Sequence, residues 1–173
     1  GCSLRKFGVF FSAVFFLVVV AGFFLPENKV IPVKGASSQN WNKESFWAAP
    51  WGLSGVHKGI DIFAKKGQQV MAATDGLVIF AGEFGRGGHV LVILGPKWRL
   101  HYYAHLDKSL VQMGGLVASR YPIAEVGDTG NAVTKVPHLH YSIISLIPYF
   151  WLWDGSVQGW KKMFYLNPDE YLK

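Results

Sequence analysis

Hydrophobic residues fall into two regimes along the chain. Residues 7–25 (FGVFFSAVFFLVVVAGFFL) are uncharged and apolar on every helical face, long enough to cross a bilayer as a helix. From Gly59 onward the apolar residues instead come in short runs divided by turn signals. QVMAA at 69–73 and LVIFA at 77–81 flank Thr74-Asp75-Gly76, which predicts a hairpin. Gly85, Gly87 and Gly88 lead into the run 89–94, and Gly95-Pro96 marks a turn before 98–105. A tight loop follows at 127–131 (GDTGN), then a last core strand at 139–147. Short strands with turns at about ten-residue spacing predict a mainly β, antiparallel domain without a soluble helix.

The flanks of the first run orient it. Arg5 and Lys6 precede it, so the positive-inside rule places residues 1–6 in the cytoplasm and everything after Pro26 outside. Residues 7–25 are read as a retained transmembrane anchor. The rival is a cleaved signal peptide with a small-residue site near Val19-Val20-Ala21, but the run lacks a clean A-x-A. Either reading exports the rest. Residues 26–42 are polar and carry Pro, Gly and Ser, which predicts a linker and the entry to the domain, and 43–173 form the domain. Within it, 41–51 is aromatic-rich, contains Pro50 and reads as an irregular covering segment.

Composition narrows the function classes. A chain of 173 residues holds one domain with a real core. The net charge of +6 suits anionic surroundings without naming a partner. No Lys/Arg block accompanies the aromatic residues, so nothing points to nucleic acid. Cys2 is the single cysteine, so no intrachain disulfide forms. It precedes the apolar run and reads as an incidental thiol.

Three short motifs carry the candidate chemistry. His57-Lys58-Gly59-Ile60-Asp61 sets an imidazole and a carboxylate four apart, with Gly59 and Ile60 favouring a strand or loop over a helix. Tyr103-Ala104-His105 ends a strand on which Arg99, His101, Tyr103 and His105 share a nominal face. Pro137-His138-Leu139-His140 puts two imidazoles on one strand face. Taken singly, the first reads as a surface His–Asp pair, the second as a surface histidine, and the third suggests a shared task such as metal binding without establishing one. Taken together, two imidazoles and a carboxylate are a three-ligand set for catalytic zinc. His101 is expected to be structural or peripheral, and His89 has no partner in sequence.

These motifs, in this order, closely resemble peptidase family M23, the zinc metallopeptidases of the lysostaphin and LytM type. The family pattern is His-x-x-x-Asp, then Tyr-x-His, then Pro-His-x-His. The likeness covers about residues 47–147, and the closing LNPDEYL at 166–172 resembles the family's ending. The resemblance implies an antiparallel two-sheet LytM-type domain and one zinc ion. It makes His57, Asp61 and His140 the zinc ligands, with His105 and His138 as catalytic histidines. It implies peptide bonds of peptidoglycan stems or cross-bridges as substrate, in the bacterial envelope outside the cytoplasmic membrane. A regulatory adaptor stays open.

The chain also departs from the family. Where Phe-Gly-x-Arg is common before the first ligand, Trp51-Gly52-Leu53-Ser54 stands here. An aromatic insertion follows the last strand at 147–154 (IPYFWLWD), with Trp160 beyond it. It reads as a membrane-facing or substrate-covering surface, or as a plug over the core. The alternative to an enzyme is a catalytically silent module that binds peptidoglycan or activates a hydrolase; the complete five-residue set favours the enzyme.

Overall fold

The computed structural model describes residues 2–173, with side chains from Arg5 onward; Gly1 and the Cys2 thiol lie outside the described residues. Helix α1 (Cys2–Phe24) includes a stretch, Arg5–Phe24, long and apolar enough to cross a membrane. Of its most apolar 18 residues, only 6% are buried by the rest of the chain. It is neither a buried core helix nor an amphipathic one.

Nine antiparallel strands follow: β1 (Ile60–Phe63), β2 (Gln69–Met71), β3 (Gly76–Glu83), β4 (His89–Gly95), β5 (Arg99–Ser109), β6 (Leu116–Val117), β7 (Pro122–Val126), β8 (His138–Ser145) and β9 (Tyr165–Leu166). The main run is ordered β1-β8-β5-β4-β3-β6, with β9 on β8. β2 and β7 pair with each other, and β7 hangs on the second half of β5. The fold is mainly β and antiparallel, as expected, and β5 joins its two parts into one hydrogen-bonded network.

One predicted hairpin does not form. The runs around Thr74-Asp75-Gly76 do not pair with each other; β2 pairs with β7 and β3 with β4 and β6. Tertiary partners outbid the local turn. The Ala73 amide donates to the Tyr103 hydroxyl at 2.9 Å, and Asp75 accepts from the Ser119 amide at 2.8 Å. These bonds make the segment a crossing between the two parts of the sheet.

The segment 26–42, expected to be a linker, lies along the domain. Val33 is 1% exposed and bridges to Val70, while the Lys34 amide donates to the Gln69 carbonyl. Glu27 pairs with Arg99 at 2.7 Å and accepts from the Tyr171 hydroxyl. Apolar Val33 in a polar stretch is the local reason: its burial holds the strand edge. The aromatic insertion is no plug, because Phe150, Trp151 and Trp153 are 70%, 76% and 65% exposed.

Ile60, Ile62, Leu91, Ile93, Tyr103, Leu106, Leu139 and Tyr141 are fully buried in one core. Alternation along β8 sends Leu139, Tyr141 and Ile143 into it and turns His138, His140 and Ser142 the other way. Gly59 lets β1 approach β8, since a Cβ there would collide with the Tyr141 carbonyl and the Ser142 hydroxyl. His101 lies in the core as expected of a structural residue, its Nδ1 2.7 Å from the Tyr141 hydroxyl. Burial, aided by the Arg99 charge, pushes its imidazole down to about 3.

Leu139→Ala should cost about 2–5 kcal/mol, the range for truncating a buried leucine. Urea unfolding of the full chain in detergent checks it; a loss below about 1 kcal/mol would contradict the packing described.

Candidate functional site

The register between β1 and β8 builds the centre of the site. Asp61 stands directly opposite His140, and Ala104 of β5 opposes His140 from the other side. Directly paired residues on one sheet face bring their Cβ atoms within about 5 Å. His57 enters from the loop before β1. Its backbone is pinned by the irregular segment expected to act as a cover: Trp47 N–H donates to the His57 carbonyl, and His57 N–H to the Ala48 carbonyl.

Three ligand-type atoms converge. Asp61 Oδ1 lies 3.1 Å from His57 Nε2 and 2.8 Å from His140 Nδ1, and those two nitrogens are 3.2 Å apart. The opposite nitrogen of each ring is also engaged. His57 Nδ1 donates to the Ser45 carbonyl at 3.0 Å, and His140 Nε2 is 3.0 Å from the Ser142 hydroxyl. A carbonyl only accepts, so His57 Nδ1 carries a proton, and Nε2 is the ring nitrogen turned toward the carboxylate. A His/Asp/His set whose ligand-type atoms lie this close together fits zinc. Burial raises the Asp61 pKa, but hydrogen bonds and charge interactions with His140 and His57 outweigh it and hold the carboxyl well below the usual range.

His105 and His138 sit beside this set with ring centroids 5.0 Å apart. Both are anchored alike: His105 Nδ1 donates to the Thr129 carbonyl at 2.9 Å, and His138 Nδ1 to the Val136 carbonyl at 2.7 Å. Each ring therefore leaves Nε2 as an acceptor, and His138 Nε2 is 4.0 Å from Asp61 Oδ1. All five residues border one cleft of about 740 Å³, together with Trp51, Lys58 and Arg86.

His105 reaches the cleft by breaking the expected alternation. The reading that placed it on one face with His101 and Tyr103 is overturned. His105 has φ +62°, and the β4–β5 register shifts alongside it. Tyr103 and Leu106 both face the core, while the adjacent Ala104 and His105 both line the cleft. A left-handed non-glycine residue in a strand costs about 1–3 kcal/mol and is a known way to re-aim a side chain beside a site.

Sequence reasoning missed several supports. Trp51 stacks on His57 at 4.1 Å with planes 22° apart, where the family pattern led one to look for an arginine further on. Ser142 had a readable signal, since it lies two residues beyond His140 on the same strand face. The carbonyls of Ser45, Thr129 and Val136 had none, because any residue supplies a carbonyl. His89, without a partner in sequence, pairs with Glu83 at 2.6 Å, away from the cleft residues.

A mainly antiparallel β domain with a cleft floored by a convergent His–Asp–His set defines a LytM-like domain. The sequence profile of peptidase family M23 matches residues 55–147, more than half of the chain, and the chain belongs to that family. Among solved structures, the catalytic domain of the antimicrobial peptidase lysostaphin from Staphylococcus simulans matches with a TM-score of 0.61 at 25% identity, covering 78% of this chain and 93% of that one. A zinc-containing peptidase from Vibrio cholerae matches with a TM-score of 0.55 at 30% identity, over 68% of this chain and 37% of that one. Murein hydrolase activator NlpD of Escherichia coli (strain K12) is 38% identical over 109 residues, 62% of this chain and 28% of its own length. The chain thus spans under a third of the length of the curated relatives it matches.

Burial, with the neighbouring His140, pushes the His105 imidazole down to about 4. In metal-free protein its NMR titration should keep the neutral Nδ1–H form down to that pH. Because the unfolded chain takes up this proton near 6.5 and the folded one near 4, the residue's contribution to stability is lost as pH falls through that window. A titration midpoint near 6.5 would contradict the burial described.

Proposed function

We propose that the chain is a zinc-dependent endopeptidase cleaving peptide bonds of bacterial peptidoglycan, held on the outer side of a membrane by α1. In this reading residues 7–25 are the anchor and 43–173 the peptidase domain. The observation that carries it is the complete arrangement in one cleft: three convergent ligand atoms beside two imidazoles whose Nε2 atoms are free.

His57 Nε2, Asp61 Oδ1 and His140 Nδ1 would hold the metal, and the Ser45 carbonyl and Ser142 hydroxyl fix the two rings for it. Zinc in such a site supplies Lewis acidity, lowering the pKa of water and polarising a carbonyl. His105 and His138 handle protons. Their Nδ1–H bonds to backbone carbonyls preset the tautomer, so Nε2 accepts the proton of the attacking water and returns one to the leaving amine. Lys58 and Arg86 on the cleft wall favour an anionic peptide.

A second reading is supported by the likeness to a murein hydrolase activator: a domain that binds peptidoglycan and stimulates another hydrolase without cutting. The two separate by experiment. The purified chain should bind one zinc and release muropeptides from sacculi. His57→Ala, Asp61→Ala and His140→Ala should lose metal and activity together. His105→Ala and His138→Ala should keep zinc while turnover falls about 10²–10⁴-fold. Protein that binds sacculi, leaves them uncut and stimulates a second hydrolase would establish the activator reading instead.

A further inference from the structure

The main strands have a common polarity of ends. Gly76 and Leu77 of β3, Leu94 and Gly95 of β4, and Trp98 just before β5 gather with Gly22, Leu25 and Pro26 around an apolar cavity of about 470 Å³. The opposite ends lead to the cleft: Phe84 after β3, His105 in β5 and His138 at the start of β8. One end of the domain faces α1 and the other faces the candidate site.

The contact with α1 is specific. Trp98 Nε1 donates to the Val19 carbonyl at 2.8 Å, and Lys97 Nζ to the Phe23 carbonyl at 2.7 Å, supplying a cation where the helix ends in unpaired carbonyls. A Cβ on Gly22 would collide with the Trp98 indole. Lys97 and Trp98 both take left-handed backbone angles, φ +60° and +58°, to present these side chains. The Glu27–Arg99 pair and the packed segment after it leave no slack between helix and domain.

Helix length then sets the height of the domain. Arg5–Phe24 is 20 residues. At 1.5 Å per residue that is about 30 Å, the thickness of the hydrocarbon layer. Because Arg5 and Lys6 already occupy its start, the helix has no turn to spare. Val19 then lies about 7 Å inside the lipid-facing end. A domain bonded to Val19 cannot stand clear of the bilayer.

The surface beside this contact suits lipid. Leu116 is 83% exposed, and with Leu77 it borders the apolar cavity. On the other side the Leu146 amide donates to the Trp98 carbonyl, and Tyr149 bonds Arg99 at 3.1 Å, next to Glu27. Leu146, Phe150 and Trp151 there are 51%, 70% and 76% exposed. Exposed Trp, Phe and Leu with lysine close by is the composition of the membrane–water interface.

We infer that this end of the domain is a bilayer-contact face, with Trp98, Leu77, Leu116, Leu146, Phe150 and Trp151 seated in the headgroup region of the leaflet that α1 leaves. The inference rests on α1 being the anchor proposed above. It fixes the cleft over the membrane: from Arg99 to His105 the strand rises about 20 Å. The site then works on strands close to the bilayer rather than sweeping on a tether.

The test uses the full chain with Cys2→Ser, reconstituted in phosphatidylethanolamine/phosphatidylglycerol vesicles. Single Leu116→Cys, Leu146→Cys, Trp151→Cys and, as control, Phe84→Cys variants carry an environment-sensitive fluorophore. All four positions are exposed, so labelling leaves the core intact. The first three should show blue-shifted emission, quenching by headgroup nitroxide lipid and protection from aqueous iodide. The Phe84→Cys label should show none of these. If the protein floats with vesicles after carbonate washing but all four labels respond to iodide alike, the contact face is wrong and the anchor stands. If it does not float, both fall.

Discussion

Strand β8 carries the rest of the site because its two faces are committed to different solvents. Leu139, Tyr141 and Ile143 are locked in the core between β1 and β5, and that packing alone holds His138, His140 and Ser142 over the cleft. A slip of one residue in either pairing would bury the imidazoles and expose the aliphatic side chains. Register is therefore set by hydrophobic burial worth several kcal/mol, and the polar site inherits its geometry from it. Asp61 reaches His140 because their strands are paired, not because the two residues attract.

The site brings one carboxylate into contact with two imidazoles. His57 Nδ1 donates to the Ser45 carbonyl, and its other nitrogen faces the Asp61 carboxylate. Asp61 stays ionised despite burial, since the neighbouring imidazoles outweigh the desolvation cost. Beside it, His105 and His138 have protons fixed on backbone carbonyls and are ready to accept at Nε2. In the proposed reading the same residue type fills two roles, and the rings differ in what each one's nitrogens meet.

The strands also act as a spacer. One end of the sheet meets α1 through Trp98, Lys97 and Arg99, and the other opens into the cleft. Strained backbone occurs at both ends, at Lys97 and Trp98 and at His105. In each case a left-handed residue aims a side chain where regular strand geometry would not send it.

Much of this was legible in the sequence, and the limits have physical causes. The apolar run, the mainly β character, and the pairing of faces in HLHYS follow from hydrophobic periodicity, which is a local property. The five candidate residues were legible through three ordered motifs and their family resemblance, and the structure brings all five to one cleft. What was illegible is non-local. The hairpin expected at Thr74-Asp75-Gly76 lost to partners on β7, β4 and β6, and the expected linker was drawn onto the domain by Val33 and Glu27. His105 was placed on the wrong face because a bulge leaves no periodic trace. By itself the sequence determined which side chains are available and which stretches must be buried. Only the tertiary structure decided which strands meet, because pairing depends on burying together strands as far apart in sequence as β1 and β8, and no local pattern encodes that choice.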